Sequence, residues 1–181
     1  VTVLTQTSER TMSISEEDGI RVIRAPHDPP EVAFGEDTLL AWVLGMQTGM
    51  IRAAAGAGSF DVIHAHDWVT AHAGIALRDV LGARALVATV HATEAGRHQG
   101  WLPGPLSDAI HSIEHWLVHE ADGVIACSHH MREEVVQLFA PRPDHVSVIA
   151  NGIDVKRWCA EPDRIAHARE AHARTGPLIV F

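Results

Sequence analysis

Apolar and polar positions fall into blocks along this chain, and the period of each block predicts its element. Val1-Thr-Val-Leu4 is β-branched and apolar, the composition of a strand. Thr5 to Asp18 is polar and reads as a loop ending in the turn pair Asp18-Gly19. Ile20 to Arg24 alternates, which predicts an edge strand, and Pro26 to Pro30 breaks it. Asp37 or Thr38 then stands where a helix cap belongs. Leu40, Val43, Leu44, Gln47, Met50, Ile51 and Ala54 recur mostly on one helical face, and Gly56 and Gly58 end the helix.

From that helix onward strand and helix patterns alternate. Asp61-Val-Ile-His-Ala-His66 reads as a buried parallel strand whose end presents polar groups. Trp68 to Leu81 is helical, with Trp68, Ala71, Ile75 and Leu81 inward and Gly82 as its stop. Ala85 to Val90 is continuously apolar, which suits a parallel strand covered on both faces. Ala92 to Pro105 is a long connection with several Gly and Pro; connections of this length in compact domains are often functional. Leu106, Ile110, Ile113, Leu117 and Ala121 mark a helix, and Gly123 to Cys127 a strand. Ser128 caps a further helix with Met131, Val135 and Leu138 inward. Val146 to Ile149 is a strand, Asn151-Gly152 a turn, Pro162 the start of a charged helix, and Pro177 to Phe181 the start of a strand. Right-handed crossovers between such units give an α/β fold with a doubly wound parallel sheet.

Composition removes several function classes. The 181 residues are 46% hydrophobic and 20% charged, an ordinary globular balance. A net charge of −9 argues against nucleic-acid or anionic-membrane partners, which need a basic surface. Cys127 and Cys159 have no CxxC spacing, so no disulfide framework is expected and a reducing, cytoplasmic compartment is favoured. No signal peptide is visible at Val1, and the apolar run from Leu39 to Ile51 is too short to span a bilayer. The 14 His make the net charge pH-sensitive near neutrality.

Candidate chemistry gathers at two strand ends. His64, His66 and Asp67 follow one strand and His91 closes the next, which is where open α/β sheets bind ligands. As a metal set this lacks a completing His-x-x-x-His helix, and no metal is expected. His64 shares a strand face with His66 and reads as a hydrogen-bonded core histidine. Asp67 suits either the N-cap of the Trp68 helix or a ligand contact, and Trp68 by itself reads as a core anchor. His91 precedes a Gly-rich loop and is expected to point into a crevice. Ser128 beside His129 and His130 lacks the nucleophile-elbow glycines, so capping is its expected role. Glu114 and Glu120 read as a solvated helix face. No Gly-x-Gly-x-x-Gly or Walker sequence occurs.

The ordered set His64-Ala-His-Asp-Trp68, Thr89-Val-His91, Cys127-Ser128 with Met131-x-x-Glu134, and Val148-Ile-x-Asn-Gly-Ile-Asp154 resembles the N-terminal half of a GT-B glycosyltransferase of retaining family 4, glycogen-synthase type. It spans Asp61 to Trp158. The run from His91 to Gly100 resembles the α-glucan-synthase-like members, including those implicated in glycogen and polymethylated-glucose polysaccharide synthesis. The resemblance implies that His91 contacts the donor sugar and that Asp67 lies near the acceptor and reacting centre. It implies substrate-binding roles for His66, Trp68, Thr93, Glu94, Gln99 and Gly100, with Asn151 near the passage to a second domain. It also implies a nucleoside diphosphate sugar (UDP-, ADP- or GDP-linked) as donor, a glucan or other glycan as acceptor, and no resident cofactor or metal.

The same resemblance sets the expected organisation. Residues 1–152 match an acceptor-side domain lacking its first strand and Gly-rich loop. Residues 153–181 match a linker and the start of the nucleotide-sugar domain, whose diphosphate-holding Arg/Lys pair and paired Glu lie beyond Phe181. The fold is therefore expected to be incomplete at both ends, the C-terminal domain to be needed in cis, and the 181 residues alone to be inactive. Three rival readings remain from the residues: a family 4 enzyme of mannosyl or galactosyl specificity, a metal-dependent hydrolase using His64, His66, Asp67 and His91, and a non-catalytic carbohydrate-binding module.

Overall fold

The computed structural model of the chain describes residues 1–173 and 175–177. Two units are distinguished, Val1–Ala150 and Asn151–Phe181.

The first unit holds two sheets. β1 (Thr2–Gln6), β2 (Ser13–Glu17) and β3 (Ile20–Ala25) are ordered β1-β3-β2. β1 is parallel to β3, with Thr2 opposite Arg21, and β2 is antiparallel to it, with Ser13 opposite Arg24. The second sheet is all parallel and runs in chain order through β4 (Val62–His66), β5 (Ala85–Val90), β6 (Gly123–Ala126) and β7 (Val146–Val148). Each crossover carries a helix: α1 (Leu39–Ala54) before β4, α2 (Ala71–Leu81) before β5, α4 (Pro105–Glu120) before β6 and α5 (His129–Phe139) before β7. A short α3 (Glu94–Arg97) follows β5. This is the α/β class with a parallel sheet that the strand–helix alternation predicts.

Strand β2 lies inside the segment expected to be a loop. Only Ile14 is apolar in Ser13-Ile-Ser-Glu-Glu17, and it is half exposed, so no hydrophobic alternation marks the strand. The turn makes it. Asp18 and Gly19 have φ of 52° and 76°, the pair of positive values that closes a two-residue hairpin. Arg24 on β3 then donates to Ser15 Oγ at 2.7 Å and pairs with Glu17 at 2.8 Å.

The core forms two clusters. Leu86, Ala88 and Val90 of β5 pack with Leu117 and Val118 of α4, Val124 and Ala126 of β6, and Val135 and Phe139 of α5. Val43, Met46 and Met50 of α1 pack with Trp68, Ala73 and Ile110. Leu44 is 47% exposed, off the buried stripe of α1, whereas Phe139, one position beyond the expected Leu138, is 1% exposed. Two helix ends behave as their sequences suggest. Ser128 Oγ accepts the Met131 N–H at 3.0 Å, and Gly82 closes α2 with φ of 65°. Neither Asp37 nor Thr38 caps α1; the Thr38 hydroxyl donates to the Ala33 carbonyl at 2.6 Å instead.

The second unit contains α6 (Val155–Trp158), capped by Asp154 Oδ1 on the Lys156 N–H at 3.1 Å, and α7 (Pro162–His172), which buries none of its residues. Beyond Pro177, the strand expected at the end of the chain lies outside the described residues. Among those described, no helix is long and apolar enough to cross a membrane.

Candidate functional site

The carboxyl ends of β4 and β5 lie side by side, with His66 opposite Thr89. Asp67 follows β4 with φ of 57° and ψ of 175°, a region that glycine tolerates and other residues rarely enter. Three bonds hold it there. Its N–H donates to the Thr89 carbonyl at 2.9 Å, its carbonyl accepts the Thr70 N–H at 3.2 Å, and its Oδ1 accepts the His91 N–H at 2.8 Å. The carboxylate is therefore committed to the neighbouring strand end, and it caps neither the 3₁₀ turn Trp68–Thr70 nor α2. Thr70 completes the corner: its hydroxyl accepts the His66 N–H at 2.8 Å and lies 2.9 Å from the His66 carbonyl.

Three imidazoles line this rim. His64 and His66 stack with ring centres 4.4 Å apart, and His66 and His91 with centres 5.3 Å apart at an interplanar angle of 15°. His66 Nδ1 lies 3.0 Å from His91 Nε2, and Cys127 Sγ lies 3.4 Å from His91 Nδ1. One arrangement of protons satisfies this line: the thiol donates to His91 Nδ1, and His91 Nε2–H donates to His66 Nδ1. Protonating every ring would set two N–H groups head to head. Burial, then the neighbouring His91, lowers the His66 pKa, and burial followed by His66 and His91 lowers that of His64. Both rings are accordingly held towards the neutral form.

His64 is not a core residue. Its Nε2 lies 2.7 Å from Thr89 Oγ1, the hydrogen bond its strand position suggests, yet the side chain is exposed beside His66 because period two puts both on the open face.

The loop after His91 is clamped from two helices. Both carboxylate oxygens of Glu114 on α4 accept the Glu94 N–H, at 2.8 and 3.1 Å. Glu94 in turn accepts from Ser107 Oγ at 2.6 Å and lies 3.2 Å from His98 Nε2. The Thr93 hydroxyl donates to Glu134 on α5 and accepts the Gly96 N–H at 2.9 Å. Glu114 is 4% exposed, so it is a buried carboxyl and not the solvated group its sequence position suggests. Burial is the main cause that lifts its pKa to about 7.

The side chains of Thr93 and Glu94 are thus turned into the protein, where their polar atoms are used to hold the loop. Trp68 is 5% exposed within the second core cluster and packs rather than lining a cleft. His66, His91, Gln99 and Gly100 are exposed, the last two at φ of 56° and 91°. Asn151 opens the second unit and is exposed. Among the described residues, no group of three or more His, Cys, Asp or Glu is disposed to hold a metal ion.

Glu114, Glu134, Cys127 and Thr70 all carry site geometry without having been singled out as site residues. Glu114 was findable: it sits four after Ile110 and three before Leu117, inside the buried stripe of α4.

Residues 1–157 match the family model described as Glycosyltransferase Family 4. The chain is 46% identical over 149 residues to glycogen synthase of Mycobacterium tuberculosis, covering 78% of this chain and 36% of that protein. It is 33% identical over 151 residues to alpha-maltose-1-phosphate synthase of Mycolicibacterium smegmatis, covering 79% and 38%. Among solved structures, sucrose-phosphate synthase of Thermosynechococcus elongatus superposes with a TM-score of 0.69 at 18% identity, over 93% of this chain and 42% of that one. Anabaena HepE, solved with UDP and glucose, superposes with a TM-score of 0.58 at 20% identity, over 86% and 38%. These two share the fold. The chain spans well under half the length of each of these four proteins.

Proposed function

The chain belongs to glycosyltransferase family 4, and from that premise we propose that it forms the acceptor-side domain of a retaining enzyme that transfers glucose from a nucleoside diphosphate sugar to an α-glucan. Its similarity to proteins named glycogen synthase and alpha-maltose-1-phosphate synthase supports glucose as the transferred sugar. In this reading residues 1–152 carry the acceptor side and residues 153–181 lead to the nucleotide-sugar domain of the complete, cytoplasmic enzyme.

The observation that carries the reading is the positioning of His91. Asp67 fixes its backbone through the N–H, while His66 and Cys127 fix its ring, all at the carboxyl rim of the parallel sheet. His66 and the backbone clamp keep the imidazole in place while a sugar hydroxyl displaces the weak thiol donor of Cys127 from Nδ1, so little reordering is needed, which is how positioning lowers a barrier. Asp67 keeps one carboxylate oxygen on the His91 amide and has a second for an acceptor hydroxyl. The acceptor attacks the anomeric carbon from the face the diphosphate leaves, so configuration is retained, and the departing diphosphate takes up the hydroxyl proton.

The test is His91→Ala in the complete enzyme. Loss of one polar contact to the bound sugar predicts a fall in kcat/KM corresponding to roughly 1–3 kcal/mol. That is about a five- to 150-fold effect. An unchanged kcat/KM removes His91 from the site. Assay with UDP-, ADP- and GDP-glucose beside GDP-mannose and UDP-galactose tests the sugar separately.

A further inference from the structure

We infer that His115 and His119 on α4 form a binding site for one exchangeable divalent cation of the zinc class, at the amino end of the parallel sheet and away from His91. The site is independent of the transfer reaction, for which no metal is expected.

The His-x-x-x-His spacing that the rim histidines lack stands on α4 as His115-Trp-Leu-Val-His119. Residues four apart on a helix share a face. Both side chains are exposed, with ring centres 4.3 Å apart and planes tilted by 36°. Helical histidine pairs of this spacing bind zinc. Trp116 occupies the position where the hydrolytic version of the motif carries its glutamate, so this pair is suited to hold an ion and not to hydrolyse with it.

A second contact fixes which nitrogen is available. His119 Nε2 lies 2.8 Å from the Phe139 carbonyl on α5. A carbonyl only accepts, so Nε2 carries the proton and the Nδ1 lone pair is left to ligate. Metal-ligating histidines usually make just such an outer bond with their other nitrogen. The Phe139 carbonyl needs this partner, because it ends a helix and the residue four on is Pro143, which has no N–H. The Phe139 ring, 1% exposed, meets the His115 ring at a steep angle with centres 6.2 Å apart. One buried residue thus steadies both imidazoles. Burial, followed by His119 and His111, lowers the His115 pKa, which favours the neutral ring that a metal requires.

The backbone favours a cation here. α4 ends at Glu120 ahead of β6, and α5 ends at Phe139 ahead of β7. Both helices therefore bring the negative ends of their dipoles to the amino end of the sheet, beside the pair. Two imidazoles suit zinc, copper or nickel and not magnesium or calcium. Water completes the coordination shell, so the ion exchanges. An ion on Nδ1 also makes the Nε2–H a stronger donor to Phe139, and so ties α4 to α5.

The probe is zinc chloride added to the 181-residue chain, followed by calorimetry and by nitrogen NMR of the imidazoles. One equivalent should bind, with His119 Nδ1 and the His115 ring shifting and the His119 Nε2–H retained. His115→Ala and His119→Ala place alanine at exposed helical positions that accept it, and each should weaken binding about tenfold or more. No binding, zinc on His119 Nε2, or affinity unchanged in either variant overturns the proposal. So does an equal response to magnesium, or zinc held instead by His64, His66 and His91.

Discussion

Replacing Glu114 by Gln tests whether the loop after His91 is held by a buried carboxyl. The amide keeps the shape of the side chain and one oxygen to accept the Glu94 N–H, but it cannot ionise. In the native protein burial raises the Glu114 pKa from 4.5 to about 7. The folded state then keeps a proton that the unfolded chain releases. The resulting stability is present below the unfolded pKa and is lost as pH rises through about 7. At about 1.4 kcal/mol per pH unit, the two states differ by roughly 3 kcal/mol once both are ionised. Between pH 5 and pH 8 the native protein should therefore lose about 2–3 kcal/mol relative to the variant. For a chain of this size that is roughly 5–10 °C in Tm. The groups around Glu114 enter both proteins alike: Glu94 and Arg97 from α3, Asp67 from the strand rim, and His111 on α4 at 4.0 Å. The depressed histidines His27, His64, His66, His72 and His115 contribute the opposite slope, losing stability as pH falls below about 6.5, and they cancel in the difference. Urea unfolding of both proteins at several pH values gives the difference curve. Parallel curves would refute a buried, proton-binding Glu114.

Gly49→Ala reverses the usual helix rule. Alanine in a helix interior normally stabilises by about 1 kcal/mol, but here the added Cβ would overlap the Pro26 carbonyl, so a net loss of about 1–3 kcal/mol is expected from the urea midpoint. At Asp67, Gly should be better tolerated than Ala, because both lose the carboxylate and only Gly relieves the positive φ, a strain of roughly 1–3 kcal/mol; an Ala variant as stable as the Gly variant would contradict the backbone argument. The 181 residues alone should form no product from UDP-, ADP- or GDP-glucose with maltooligosaccharide acceptors, and measurable transfer by the purified chain would overturn that expectation.

The α/β alternation was legible because its elements bury faces of defined period. Leu86, Ala88 and Val90 on β5 and the stripe of α4 declare themselves by spacing alone. β2 was not legible from hydrophobicity, since its five residues bury little and its existence rests on the turn conformation of Asp18-Gly19. His91 and Asp67 were recognisable as neighbours from their places at adjacent strand ends. What the sequence withheld was direction. Asp67 spends an oxygen on a backbone amide and caps nothing, and Thr93 and Glu94 face inward. The inward turn of Thr93 and Glu94 depends on carboxylates arriving from α5 and α4, 41 and 20 residues along the chain, and no local pattern reports them.

The unusual conformation of Asp67 follows from packing one turn away. A Cβ on Gly74 would come within 2.9 Å of the Ala65 methyl, so α2 lies as close to β4 as a helix can, and only a small residue on each side permits it. That closeness sets the height of α2 above the sheet and puts Thr70, just ahead of it, over the end of the strand. There its hydroxyl takes both backbone groups of His66. The chain must then reverse from strand to helix within Asp67 alone, and a positive φ is the local cost of so short a corner. The same corner points the carboxylate across to β5 instead of along the helix, where it meets the His91 amide. Small side chains buried between α2 and β4 thereby decide where an exposed imidazole stands. A larger residue at Gly74 should act on His91 through this linkage, lifting α2, loosening Thr70 and freeing the amide of His91 without touching the ring.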